Sequence, residues 1–403
     1  MKTIAVLVIL GTTSVVSAET PASANAALGY WRAFSMIQAP EADDAIWMKC
    51  DDVAEGRAAW DDAALGGLVD KNAGACLELH KASLKSSCDF GLAFEDGYEM
   101  TLPHLAKARQ LARLNLLRAT RLDSVGNGGE AVEAWLDGLR MARHIAADPV
   151  LISSLVGKVI FKGHVEAMVR FVGRGAAGKV ERARIAQAVR EVPAYGWDWG
   201  AGIAEEKRTA GQLVKRYLEM DNPETAIREL LACVGGIEAA GKKSDKALAE
   251  VLEEFGVAVE MAKDLEKFRA YMKQALKEYE ALMDEIAAAL RKPAHEGRAE
   301  LERIGAIPKG TNLVINLLAP GMAAIGRSRA ELEVLRAGLI ALVAVASHRV
   351  EKGEDPASMA GLLAPDDPFT GKPLALAAAT EGLVIRSEGK DLEGKHYEFL
   401  LKK

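Results

Sequence analysis

A periodic pattern of apolar residues over positions 102–145 constrains the fold of this chain more than any other sequence feature. The apolar side chains recur at every third or fourth position, which places them on one face of an α-helix. In the first helix they are Leu105, Ala108, Ala112, Leu116, Ala119 and Leu122. The sequence GNGG at 126–129 interrupts the pattern, which resumes at Glu130. We therefore predict an αα-hairpin, in which two helices of about 20 residues are joined by a glycine-rich turn.

Helical patterns account for most of the remaining chain. Half of the residues are hydrophobic and only 5% are aromatic, and alanine and leucine contribute most of the apolar side chains. This composition favours helices that pack closely through small residues. Beyond the hairpin, we predict helices over 23–37, 148–172, 179–191, 201–219, 311–325 and 328–352, and one that begins after Asp221.

The segment 244–291 has the pattern of a single long helix. Eight apolar residues in its second half follow one another in heptad order, which is typical of a coiled-coil seam. They are Leu265, Phe268, Met272, Leu276, Tyr279, Met283, Ile286 and Leu290. The seam packs either against another helix of the same chain or against a second copy, and the sequence leaves both alternatives open.

The first 18 residues have the parts of a secretory signal peptide. Lys2 precedes an apolar run over 4–10, and the sequence VVSA at 15–18 provides a cleavage site. The segment is shorter than the span of about 20 residues that crosses a bilayer. We therefore predict that 1–18 is cleaved and that the mature chain is periplasmic or extracellular, with no transmembrane segment. An uncleaved membrane anchor is the alternative.

Four cysteines are candidates for disulfide bonds in an exported protein. Cys50, Cys76 and Cys88 lie close together in the sequence, and Cys233 is far from them. An even number of cysteines in an oxidising compartment indicates disulfides, although four cysteines allow three pairings. We predict one bridge among the first three; buried thiols are the alternative. No CxxC pair is present, so a zinc site is not expected.

Charge and motif patterns argue against several classes of function. The net charge is −6 with both signs mixed along the chain, whereas a nucleic-acid-binding surface needs a basic patch. The sequence GRGAAGKV at 173–180 has phosphate-loop spacing, but Val180 replaces the usual Ser or Thr and a helical pattern precedes it. We interpret it as a link between helices. His144 and His348 are expected to cap helix ends, and no catalytic residue, cofactor or metal site is predicted.

The tail that follows the last helix is predicted to form a small β-hairpin. Pro368 and Pro373 restrict φ, and Gly371 allows the chain to turn between them. Two short β-like runs follow, at 374–378 and 383–387, on either side of the turn sequence ATEG. Because a two-stranded hairpin is marginally stable by itself, we expect it to pack on the helix predicted at 328–352.

The same tail resembles the globular end of type II secretion pseudopilins. The matching positions are Asp367, Pro368, Gly371, Pro373, Ser387, Gly389 and Asp391. The resemblance implies a short β-sheet and a calcium ion near Asp391, but a full set of oxygen ligands is not visible. Arg386 stands where the family has an aromatic residue, and the pseudopilin N-terminal signature is missing. The tail and the helices over 102–172 are also similar to uncharacterised exported bacterial proteins, a resemblance that implies no function.

These observations predict a mainly α protein with helical hairpins packed as a bundle or short solenoid and a small C-terminal β-hairpin. The predicted divisions are the signal peptide 1–18, an irregular cysteine-containing region 19–100, a helical domain 101–353 and a tail 354–403. Short helices tied by a disulfide are expected in the second region. The hairpins, the heptad helix and the lack of a catalytic motif favour a binding or scaffold protein of the periplasm or envelope, with protein partners there. The alternative is a nucleotide-independent hydrolase with a site built from scattered residues; the oligomeric state is left open.

Overall fold

The computed structural model describes residues 24–403 except positions 39 and 262 and the segments 41–44, 234–251, 253–260, 307–311, 319–321 and 392–393. The predicted signal peptide therefore lies outside the described residues. Helices packed against one another form most of the described chain, and one small antiparallel sheet lies at its C-terminal end. This arrangement confirms the predicted mainly α fold class.

The described part of the chain forms fourteen α-helices. They are α1 (Ala27–Ser35), α2 (Ile46–Ala54), α3 (Asp62–Lys71), α4 (Ala73–Ser83), α5 (Pro103–Ser124), α6 (Gly128–Ile145), α7 (Leu151–Gly173), α8 (Lys179–Arg190), α9 (Trp199–Leu218), α10 (Pro223–Cys233), α11 (Leu265–Ala289), α12 (Ala294–Gly305), α13 (Leu313–Leu318) and α14 (Met322–Lys352). A short 3-10 helix (Phe94–Glu99) separates α4 from α5. None of the helices described is both long and apolar enough to cross a membrane.

Local sequence signals explain how the predicted hairpin of α5 and α6 forms. Pro103 occupies the first turn of α5, where its fixed φ suits a helix start. Gly126 adopts a φ of 80° after the end of α5, a conformation that glycine reaches without steric cost. The side chain of Asn127 then accepts a hydrogen bond from the backbone N–H of Glu130 and caps α6. The sequence GNGG therefore ends one helix and begins the next, as predicted.

The main hydrophobic core lies among α5, α6 and α7, which pack on one another in sequence order. The helix α14 packs along α7 and α8, and the pair formed by α1 and α4 covers α5 and α6. The region predicted to be irregular thus contains four short helices, α1 to α4. This arrangement leaves one side of α5 and α7 facing solvent, which is where the candidate site lies.

A second hydrophobic core surrounds α11, which packs on α9. Every heptad residue from Phe268 onward is buried in this core, so the seam packs within the chain. The predicted helix 244–291 is too long, because Asp264 is extended (φ −125°, ψ 107°) and caps a helix that begins at Leu265. Most of the segment before it lies outside the described residues.

The helix α14 also differs from the prediction of two helices over 311–325 and 328–352. It continues through Gly326 and Arg327 without a break, and α13 precedes it as a separate short helix. Gly326 lies at a close contact between α14 and α12, where an added Cβ would meet the side chain of Leu301. The lack of a side chain at this position therefore allows the two helices to approach.

The C-terminal sheet has three antiparallel strands, β1 (Ala375–Ala379), β2 (Gly382–Arg386) and β3 (Glu398–Lys402). The strands β1 and β2 form the predicted hairpin, and β3 pairs with the other side of β2. The strand β3 was not predicted from the sequence. Its buried Phe399 packs against Gly338 of α14, so the sheet covers that helix as expected, and β3 also contacts α7.

No disulfide joins the cysteines that the structure describes, so the predicted bridge among Cys50, Cys76 and Cys88 is not found. Cys50 packs with Trp47 in a small cluster on α5, whereas Cys88 packs against the main core. The chain therefore directs these two side chains into different parts of the interior. Burial raises the pKa of the Cys76 thiol to about 11 and that of Cys88 to about 12. The side chain of Cys233 lies outside the described residues.

Candidate functional site

A groove with a volume of about 920 Å³ lies between α5 and α7. Its walls come from residues 106–116 of α5 and 158–166 of α7, and α2 with Pro40 forms the rim. Both wall helices bury another face against α6. Because helix side chains three and four positions apart share a face, one stripe of each helix is left to line the groove.

Positive charge predominates in this groove, which we call the basic groove. The cations that line it are Lys107, Arg109, Arg113, Lys158 and Lys162, and the carboxylates are Asp51, Glu55 and Glu166. The whole chain has a net charge of −6. The lining therefore has two more positive than negative charges, or one more when Glu331 of α14, which pairs with Lys158 and Lys162, is included. This local charge is opposite in sign to that of the whole protein, and a concave wall concentrates such a field.

Some of these cations are held in place by other parts of the fold. The guanidinium of Arg113 lies 4.4 Å from the centre of the Trp47 ring, and it donates to the Trp47 carbonyl and pairs with Asp51. On the opposite wall, Lys158 and Lys162 both pair with Glu331 of α14. These contacts fix the positions of the cations and offset part of their charge.

Lys107 and Arg109 differ from the other cations of the groove. Both are exposed on α5, and neither has an ion pair with a carboxylate in the part of the chain that the structure describes. An unpaired cation on a wall of a groove is available to an anionic ligand. These two residues are therefore the ones we expect to contribute most to ligand binding.

The floor of the groove contains a buried neutral histidine, His164. Its Nδ1–H donates to the carbonyl of Ile160 at 2.8 Å, and its Nε2 accepts from the Asn115 amide at 3.4 Å. The ring lies against Gly138 of α6, where a side chain would overlap it. Burial lowers the pKa of His164 to about 4. This ring is part of the packing between α6 and α7 and is not exposed to act as a base.

We expect the protein to become less stable as the pH falls below about 6.5, because buried histidines resist protonation. Burial lowers the pKa of both His164 and His144 to about 4, so the unfolded chain takes up protons that the folded chain does not. The contribution of the two neutral histidines to the free energy of unfolding is complete above their pKa in the unfolded chain. It is lost as the pH falls toward their pKa in the folded chain. For His164 the loss between about pH 7.5 and about pH 5 should be about 2 kcal/mol.

Urea unfolding at these two pH values measures this effect. The variant His164→Gln should have a smaller difference between the two pH values than the unmodified chain, whatever its stability at neutral pH. If the free energy of unfolding changed between the two pH values by the same amount in the variant as in the unmodified chain, the pKa of His164 would not be lowered in the folded protein.

A second polar cluster lies between α4 and α6, where nitrogen and oxygen atoms of His80, Glu133 and Asp137 come within 4.8 Å of one another. Residue types of this kind can hold a metal ion. However, Arg140 donates to Glu133 at 2.8 Å and to Asp137 at 3.0 Å, and Arg184 also pairs with Glu133. The two carboxylates are therefore already matched by two guanidinium groups, which does not fit a cation site.

The same cluster is not arranged for nucleophilic catalysis. The Ser83 hydroxyl donates to Asp137 at 2.7 Å, and the His80 Nδ1 lies 3.0 Å from the same carboxylate. A serine nucleophile needs its hydroxyl hydrogen-bonded to the histidine that accepts its proton. Here serine and histidine both contact the aspartate, so the arrangement stabilises the buried Asp137 carboxylate and does not activate the serine.

The C-terminal motif residues that carried the resemblance form a structural network. The buried Asp367 carboxylate accepts hydrogen bonds from the Ser387 hydroxyl and the Gly389 N–H. Asp391 accepts from the Lys395 N–H at 2.9 Å and from the Tyr397 hydroxyl at 3.3 Å. Because donors occupy these oxygens, the residues described around Asp391 do not fit a calcium site.

The other sequence-predicted positions have structural roles. The segment 173–180 is the predicted link, since α7 ends at Gly173 and α8 begins at Lys179. His144 does not cap α6 as expected; its Nδ1 lies 2.7 Å from the Tyr30 hydroxyl. The residues of the basic groove were missed. Their signal was the pair of cations at i and i+4 on each wall, Arg109 with Arg113 and Lys158 with Lys162.

A comparison with protein-family models, with curated proteins and with solved structures finds no match to this chain. The function therefore has to be inferred from the geometry and charge of the molecule itself.

Proposed function

We propose that this chain is an exported binding protein of the cell envelope that holds an acidic polypeptide segment in the basic groove. The observation that supports the proposal is the excess of cations in a concave surface of a chain with net negative charge. Complementary charge raises the rate and the selectivity of association more than the affinity itself. The expected ligand is therefore recognised mainly by its carboxylates.

The dimensions of the groove suit a short segment of polypeptide. The lining residues of α7 extend over 158–166, a distance of about 12 Å at 1.5 Å per residue. An extended peptide covers that distance with about four residues. The volume of the groove is also near the upper end of the usual range for ligand sites. A folded domain would not enter the groove, but an extended loop or chain terminus would.

The distribution of the cations favours a ligand with several separated carboxylates. Lys107 and Arg109 lie on one wall, and Lys158 and Lys162 lie on the other. A single compact anion would contact one wall, whereas a peptide with alternating acidic residues presents charges in two directions. The apolar part of the lining, which includes the Trp47 ring, can contact the peptide between its charges.

We expect an octapeptide of alternating serine and glutamate to bind, and the variant Lys107→Glu with Arg109→Glu to bind it at least about tenfold more weakly. Fluorescence anisotropy of the labelled peptide measures the dissociation constant. The affinity should fall with added salt, because the attraction is between partly exposed charges. An octapeptide of alternating serine and lysine should not bind.

The matched control reverses the same number of charges elsewhere. Lys273 and Lys277 are exposed on α11, away from the groove, and their replacement by glutamate changes the net charge of the chain equally. If this control weakens binding as much as the groove variant, the peptide responds to net charge and the proposed site is wrong. Binding of the lysine peptide would contradict the proposal as well.

The export part of the proposal rests on the sequence of residues 1–18, and it has its own test. Cell fractionation followed by N-terminal sequencing should recover a chain that begins near Glu19 from the periplasm or the medium. A chain that begins at Met1 and remains in the cytosol would contradict export, and it would leave the peptide-binding result unaffected.

The alternative proposal is a hydrolase, for which the polar cluster of His80, Ser83 and Asp137 would be the site. The hydrogen bonds of this cluster do not favour this alternative, because the serine contacts the aspartate and not the histidine that would have to accept its proton. Turnover of an ester or peptide substrate panel by the purified chain, lost in Ser83→Ala, would reverse this preference.

A further inference from the structure

The helices α1 and α4 form an outer layer with one buried and one exposed side. They run antiparallel, since Gly29 of α1 lies against Ala82 of α4 and the Gln38 N–H donates to the Asn72 side chain near the opposite end. Their inner residues, including Tyr30 and Leu79, are buried in the main core above α5 and α6. The other side of both helices is therefore directed outward.

Large apolar side chains occupy this outward side. They are Leu28 (56% exposed), Trp31 (39%), Met36 (43%), Leu77 (54%) and Leu84 (57%). Single exposed apolar residues are ordinary, but several on one pair of adjacent helices form a patch, and patches of this kind mark contact surfaces. We call it the outer apolar face. The chain thus exposes side chains that its own core does not cover.

The charges around the outer apolar face are mainly positive. Arg32 lies among the exposed residues of α1, and no carboxylate pairs with it in the described part of the chain. Lys71, Lys81 and Lys85 lie on or beside α4, where Glu78 is the only acidic residue between positions 71 and 88 and pairs with Lys81. The exposed Asp70 and Asp89 lie just outside this stretch, and Asp70 pairs with Arg121. Apart from the Lys81–Glu78 and Arg121–Asp70 pairs, three cations (Arg32, Lys71 and Lys85) and one carboxylate (Asp89) lie on or beside the two helices, in a chain whose net charge is −6.

We propose that the outer apolar face docks on an anionic lipid surface. A tryptophan and leucines interspersed with lysine and arginine on one helical face are the features by which amphipathic helices lie in a membrane interface. Cations near the surface add attraction to anionic headgroups. The charge complementarity favours a lipid surface of this kind over an uncharged one. The contact is peripheral, and the face is distinct from the basic groove on α5 and α7.

Vesicle co-sedimentation tests this proposal with a chain that begins at Glu19, so that the apolar run over 4–10 is absent. The chain should sediment with vesicles that contain phosphatidylglycerol and much less with phosphatidylcholine alone. The double variant Leu77→Ser with Leu84→Ser should bind at least about tenfold more weakly, because it removes two apolar side chains from the contact. The variant Arg32→Gln with Lys81→Gln should lose the preference for anionic vesicles.

The matched control is Val180→Ser with Leu363→Ser, which removes two exposed apolar side chains elsewhere. Circular dichroism should show all variants folded. Equal loss in the control, or no sedimentation of the unmodified chain, would overturn the proposal. A dimer in light scattering that the double variant converts to monomer, without vesicle binding by either, would assign the face to contact between copies and would also overturn it.

Discussion

Replacement of Asp367 by alanine is expected to lower the free energy of unfolding of the C-terminal sheet by about 3–5 kcal/mol. The carboxylate is fully buried and accepts hydrogen bonds from four donors. They are the Phe369 N–H (3.0 Å), the Thr370 hydroxyl (3.2 Å), the Ser387 hydroxyl (3.0 Å) and the Gly389 N–H (3.0 Å). Alanine would leave the two N–H groups and the Thr370 hydroxyl without this acceptor, while the Ser387 hydroxyl would keep the Gly389 carbonyl. Buried donors without acceptors are costly.

The adjacent residue supplies a matched control for this prediction. Asp366 is exposed, so Asp366→Ala should change the stability by no more than about 0.5 kcal/mol. Urea unfolding measures the global effect, and amide hydrogen exchange of β2 should report opening of the sheet in Asp367→Ala first. Similar stabilities for the two variants would show that the hydrogen bonds of Asp367 do not hold the tail.

The second large effect is expected at Gly338, where α14 meets the sheet. A methyl group added at this position would overlap the buried ring of Phe399. Overpacking of a core costs about 1–3 kcal/mol, and we expect Gly338→Ala to be near the upper end because the ring stands directly over the glycine. This cost should exceed the gain of about 1 kcal/mol that alanine usually brings to a helix interior. Thermal and urea unfolding measure the net change.

A smaller partner side chain should rescue this variant. Phe399→Leu alone should be destabilising, but Gly338→Ala with Phe399→Leu should be more stable than the sum of the two single effects, a coupling of at least about 1 kcal/mol. Gly67 of α3 is the control, since it has no neighbour within 4 Å of an added Cβ, and Gly67→Ala should be neutral or stabilising. Additive effects at Gly338 and Phe399 would show that the sheet does not pack on α14 in this way.

The candidate site was less accessible to sequence reasoning than the fold was. The cations of the basic groove are 45 or more positions apart between Arg113 and Lys158, and no local pattern states that the two helices share a groove. The same is true of the outer apolar face, because it forms only when α1 and α4, which are far apart in the sequence, pack together. Both surfaces depend on which helix faces are left uncovered after packing, and that is a property of the whole molecule.

The helices α5 to α10, with the hairpin that α5 and α6 form, and the paired strands β1 and β2 were determined by the sequence alone. The physical reason is that caps, glycine turns and apolar periodicity act between residues a few positions apart. Only the tertiary structure decided the placement of β3 and the separation of the cysteines. Those outcomes depend on contacts between distant residues, such as Phe399 with Gly338, which compete with local preference and which a linear pattern does not record.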